Sequence, residues 1–111
     1  MAKERFDVEL TDGAEQDLEG IFDYVAENRS AEQANELLDA FLAKVQTLER
    51  FPFRGGVPKE LEALGIREFR QIVMKPYRLI YRITGKKVFV LLVADGRREM
   101  HALLERRLLG R

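Results

Sequence analysis

Apolar positions along the chain switch from alternation to helical spacing and back. In FDVELT, residues 6–11, Phe6, Val8 and Leu10 alternate with Asp7 and Glu9. Alternation puts successive side chains on opposite faces, so this stretch predicts a half-buried strand. Ala14, Leu18, Ile21, Phe22 and Val25 then recur every three or four residues, the stripe of an amphipathic helix. Asp12 with Glu15 reads as a capping-box-like start, with acids in the first turn where the helix dipole favours them. That helix is expected to end near Glu27–Arg29. Ser30 with Gln33 opens a second helix, whose stripe is Ala34, Leu37, Leu38, Phe41, Val45 and Leu48. The short gap between the helices predicts an antiparallel hairpin, and Pro52 is expected to stop the second helix.

FPFRGGVPKELEALG, residues 51–65, breaks both periods: Gly55, Gly56 and Pro58 predict a loop, and Lys59–Leu64 a short helical turn. Alternation returns in IREFRQIVM (66–74) and PYRLIYRIT (76–84), read as consecutive strands. Gly85 supplies the turn into KVFVLLVAD (87–95), an apolar run of the kind buried on both sheet faces, placed mid-sheet. GRREMHALLERRLL (96–109) reads as a turn and then a short helix or tail. The predicted fold is a single α+β domain over residues 1–111, β-α-α-β-β-β with a short C-terminal helix. A helical hairpin packs on one face of a small, mainly antiparallel sheet, against Phe69, Val73, Tyr81 and Leu91. The first strand lies at an edge, and the other face stays less covered.

Composition narrows the class. A chain of 111 residues with 46% apolar and 34% charged residues suits one globular domain. It has no cysteine, which fits the cytoplasm. No apolar run approaches the roughly 18 residues of a membrane helix, and MAKERFDVEL lacks a signal-peptide core, so no membrane partner is expected. Net charge is zero but divided: residues 1–65 hold 7 Lys and Arg against 15 Asp and Glu, and residues 66–111 hold 12 against 4. Either two solvated faces neutralise each other, or the C-terminal part makes a basic surface for an anionic partner.

The arginines carry the candidate chemistry. In PYRLIYRI, Tyr77, Leu79, Tyr81 and Ile83 share one face, while Arg78, Ile80 and Arg82 share the other. Arg70 lies on the neighbouring strand, and Arg97 and Arg98 follow the central one. A guanidinium grips phosphate bidentately, so Arg70, Arg78, Arg82, Arg97 and Arg98 are the candidate phosphate- or target-binding residues. The competing reading is a solvated face or ion pairs with Glu68 and Glu99. His101, the single histidine, and Glu99 are weaker candidates for a base. Tyr81 reads as core with its hydroxyl satisfied, and Tyr77 as more open. No cofactor or metal site is expected: ligand-bearing residues do not cluster at metal spacing, and Gly55-Gly56 lacks a phosphate-loop fingerprint.

Taken together, these blocks resemble the RelE/ParE superfamily of toxins from type II toxin–antitoxin modules. The ParE branch carries "T-x-x-A-x-x-D-L-x-x-I-x-x-Y", matched by Thr11, Ala14, Asp17, Leu18, Ile21 and Tyr24. Both branches share "FP-x-x-G" (Phe51, Pro52, Gly55), YRLIYRI and GRRE…LLERRL. The resemblance implies a toxin that is either a ParE-like inhibitor of DNA gyrase blocking replication or a RelE-like ribosome-dependent mRNA endonuclease. A third reading is a domain that has lost toxicity and only binds a partner. In a RelE-like nuclease, Arg78 and Arg98 would be the catalytic stabilisers of a phosphorane-like charge. The family's lysine pair is missing from REFRQIV, where Arg67 and Arg70 are the nearest basic residues, and its late tyrosine falls at about Leu104. Arginine is a poor base, so the departures favour the gyrase reading. The implied partners are a cognate antitoxin of ribbon-helix-helix or similar DNA-binding type, operator DNA only through it, and gyrase or the ribosome with mRNA as target.

Overall fold

The computed structural model describes residues 4–110. Its elements are β1 (Asp7–Leu10), α1 (Asp12–Asn28), α2 (Ala31–Gln46), a 3-10 turn (Thr47–Glu49), α3 (Lys59–Glu62), β2 (Arg70–Met74), β3 (Tyr77–Thr84), β4 (Lys87–Asp95) and α4 (Met100–Leu108). The sheet order is β1-β4-β3-β2, with β1 parallel to β4 and the other pairs antiparallel. The α+β class, the hairpin, the edge position of β1 and the interior position of β4 all follow the sequence pattern.

Local details differ from the pattern. Thr11, not Asp12, caps α1: its hydroxyl accepts the Ala14 N–H at 3.2 Å. Ser30 caps α2 as expected, accepting the Gln33 N–H at 3.0 Å. Pro52 does not end α2. That helix closes at Gln46 and tightens into the 3-10 turn, where Thr47 donates its hydroxyl to the Lys44 carbonyl at 2.6 Å. The strand expected from residue 66 begins at Arg70, because α3 ends in a turn at Gly65 (φ 76°) and Ile66 folds back to the Leu61 carbonyl.

Two cores sandwich the sheet. Ala14, Leu18, Phe41, Val45 and Leu48 of the hairpin side pack on Ile72, Leu79, Tyr81, Val88, Val90 and Val93. On the opposite face Leu61, Met100, Leu103 and Leu104 pack on Phe69, Ile80, Leu92 and Ala94. The face expected to stay open is therefore covered by α3 and α4. Of the four sheet residues assigned to the hairpin, Tyr81 belongs there; Phe69 and Leu91 pack on the α4 side, and Val73 is exposed. Phe69 and Val73 are out of step with Ile72 and Met74, which face the hairpin, and Leu91 is out of step with Val88 and Val90. A β-bulge then changes the facing further along β4. Tyr81 pairs with Val90 and Ile80 with Leu92, so Leu91 has no partner and the facing of β4 inverts beyond it. Among the described residues, no helix is long and apolar enough to cross a membrane, and no group of three or more metal-ligating side chains assembles.

Candidate functional site

Arg78, the second residue of β3, lies on the face covered by α3 and α4. Its Nη1 and Nη2 donate to the Glu60 carboxylate at 2.7 and 2.8 Å, and its Nε donates to Gln71 Oε1 at 2.7 Å. The Glu60 side chain is only 6% exposed. Hydrogen bonding from Arg78 outweighs burial and holds the Glu60 carboxyl down from 4.5 to about 2; His101 adds a smaller push the same way. Gly96 makes the fit possible, since a Cβ there would meet Arg78 Cδ at 2.8 Å. An incoming phosphate would have to displace Glu60 from this fork.

Other candidate residues are engaged separately. Arg70 lies on the hairpin face of β2, where Nη1 donates to the carbonyls of Gly55 at 2.6 Å and Phe53 at 3.2 Å. Arg82 is exposed and sits 3.8 Å from Glu68. Arg97 clasps Asp95 at 2.6 Å and holds its carboxyl down to about 2. The Arg98 guanidinium is exposed and, among the described residues, makes no hydrogen bond or ion pair. Glu99, expected as an arginine partner, is instead the N-cap of α4: it accepts the N–H groups of His101 and Ala102 at 2.9 and 3.3 Å. His101 is exposed in the first turn. The five arginines thus form no single cluster of unengaged guanidinium groups.

The resemblance motifs have structural reasons. Tyr81 is fully buried, donating its hydroxyl to the Pro52 carbonyl at 2.6 Å and accepting the Gly55 N–H at 3.0 Å, as its core reading required. Burial pushes that hydroxyl above its ordinary value. A Cβ at Gly55 would lie 2.7 Å from the Tyr81 oxygen, so FP-x-x-G is the shape that meets this tyrosine. Tyr77 is half-buried, edge-on to Phe41 at 5.0 Å.

Asp17 and Arg107 escaped notice as a pair. β1 ends opposite Val90, which leaves one edge of β4 bare beyond it. Thr11 donates its hydroxyl to the Val90 carbonyl at 3.2 Å, and Asp17 accepts the Val93 N–H at 3.0 Å. Arg107 donates to both Asp17 oxygens at 2.9 Å and to the Leu91 carbonyl at 3.2 Å. Side chains from α1 and α4 thereby replace a missing strand. The sequence signal was present in Asp17 of the motif and in the basic end of α4, but a separation of 90 residues hid the pairing.

The sequence model of the ParE toxin family, described as the toxin of the type II toxin–antitoxin system parDE, matches residues 8–100. The chain belongs to the ParE toxin family. Toxin ParE3 of Caulobacter vibrioides is 32% identical over 88 residues, spanning 79% of this chain and 84% of that protein. Two solved structures share the fold. A chain of the chromosomal ParDE toxin–antitoxin system from P. aeruginosa superposes with a TM-score of 0.70 at 21% identity, covering 82% of this chain and 96% of that one. One from the toxin–antitoxin complex RelBE2 of Mycobacterium tuberculosis gives 0.60 at 24% identity, covering 85% and 94%. Within the ParE family, the covered second sheet face and the locked Arg78 describe a scaffold stabilised from within.

Proposed function

We propose that this ParE-family chain is a cytoplasmic toxin that binds DNA gyrase and blocks replication, without bond-breaking chemistry of its own. A cognate antitoxin of ribbon-helix-helix or similar DNA-binding type would hold it inactive and carry any operator binding. The observation supporting a binding role over nuclease chemistry is the fork between Arg78 and Glu60. The arginine that would stabilise a developing phosphorane charge already has a buried counter-ion. Glu99 spends its carboxylate on the α4 cap, which leaves it ill-suited to accept a proton from RNA. Arg98 is an exposed cation with no carboxylate partner among the described residues, available for target contact on this rim.

Two assays on the purified protein test the reading. Gyrase supercoiling is expected to fall with toxin concentration, and primer extension in a translating extract is expected to show no new mRNA ends. New ends inside codons with supercoiling intact would replace the gyrase reading by the RelE-like one. Inactivity in both, with antitoxin binding preserved, would leave only a partner-binding domain that has lost toxicity.

A further inference from the structure

Away from the Arg78 rim, the loop after α2 carries a second cationic surface. Phe51 and Phe53 are 59% and 62% exposed, flanked in sequence by Arg50 and Arg54. The loop is held firmly: Pro52 and Gly55 are buried against Tyr81, and Arg70 clamps the Phe53 and Gly55 carbonyls. Arg70 also lies over the Phe53 ring at 5.3 Å, and Phe6 meets that ring edge-on at 6.2 Å. Arg54 donates to the Thr47 hydroxyl at 2.8 Å. Among the described residues, no carboxylate pairs with Arg50, Arg54 or Arg70, whereas Arg78, Arg82, Arg97 and Arg107 each have one. The nearby Glu49 carboxylate is turned to Arg5 at 3.8 Å. Beside Phe51 and Arg50 lies an open depression of about 480 Å³, walled by Ala43, Gln46, Thr47 and Glu49.

We propose that Phe51, Phe53, Arg50, Arg54 and Arg70 form a docking surface for an acidic segment of the antitoxin that carries a large apolar side chain. The identity of the partner rests on the toxin–antitoxin reading above. Rigid exposed aromatics beside arginines lose little entropy on binding and make the anchors of protein interfaces. Unneutralised guanidinium groups select carboxylates, and the exposed Phe51 and Phe53 rings meet an apolar side chain next to them. A nucleic acid fits less well. Its binding needs an extended positive field, and this chain has zero net charge with an acid-rich helical hairpin nearby. A second copy placing that hairpin here would make a head-to-tail contact between different surfaces, which need not close.

The test pairs the protein with its cognate antitoxin, using the wild type, F51A/F53A and R50E/R54E. Both variants are expected to keep the wild-type melting profile and inhibit supercoiling, while antitoxin affinity falls at least tenfold. The charge-reversed variant should lose its residual binding least steeply with added salt. Wild-type affinity in both folded variants would overturn the docking surface and leave the gyrase reading standing. Lost supercoiling inhibition with antitoxin binding intact would assign the surface to the target and overturn the proposal. An oligouridylate that binds the wild type but neither variant would assign it to nucleic acid, with the same consequence. No complex with wild-type protein would remove the antitoxin reading along with it.

Discussion

At the scale of single residues, Glu60 decides what Arg78 can do. A buried guanidinium without a counter-ion is costly, so Glu60→Ala is expected to lose about 3–5 kcal/mol in denaturant unfolding. Replacing both partners, Glu60→Leu with Arg78→Met, should recover most of that loss, since an apolar pair needs no desolvated charge. The acid behaviour follows from the same contact. The folded Glu60 carboxyl sits at about 2 against an ordinary 4.5, so its stabilisation is complete above pH 4.5 and is lost as pH falls toward 2. Melting temperature measured against pH should fall more steeply across that window in the wild type than in the double variant. Equal slopes would mean that the pair contributes nothing to acid stability.

Elements are joined here by side chains as much as by strand pairing. Alternation lets β4 serve two cores, the bulge at Leu91 shifts which residues face each, and Thr11, Asp17 and Arg107 finish the edge that β1 leaves bare. Gly13 belongs to the same arrangement, because a Cβ there would lie 2.8 Å from Arg107 Nη2. Arg107→Ala removes charge-assisted bonds to Asp17 and Leu91 and is expected to cost about 2–3 kcal/mol. Hydrogen exchange at the Val93 amide should accelerate more than at Val88, which stays within the β1-paired part of the strand. Uniform exchange at both amides would show that α4 does not guard this edge. The helix itself is no tail: Leu103 and Leu104 are buried, and burying each such side chain contributes about 1.5–3 kcal/mol.

Across the whole molecule, the divided charge is folded back on itself in part. Acids of the first part meet cations of the second in Asp17–Arg107, Glu60–Arg78, Glu9–Lys87 and Glu4–Lys86. The first two are substantially buried; the lysine pairs are exposed and contribute little. An exposed arginine outside this bookkeeping is a better probe of function than a buried one. Arg98→Ala is expected to change stability by less than about 0.5 kcal/mol yet abolish growth inhibition in cells. Full toxicity from the folded variant would exclude Arg98 from the target surface. Arg78→Ala is a poorer probe, since loss of toxicity there follows from loss of structure alone.

Much of this fold was readable in the residue order because its signals are local. The helical stripes, Ser30 with Gln33, the turn at Gly85 and the unbroken run of β4 each depend on neighbours within a few positions. Family membership was likewise carried by short blocks in a fixed order. The sequence alone offered candidate arginines but not their partners, and it passed over Arg107. Glu60 lies 18 residues from Arg78, and Asp17 lies 90 from Arg107. Only chain folding decides which carboxylate reaches which guanidinium. One unpaired residue at Leu91 inverted the facing of the remainder of β4, and no local pattern marks such a bulge. Tertiary structure therefore determined which cations were spent on stability and which remained exposed, because charges pair by distance in space rather than along the chain.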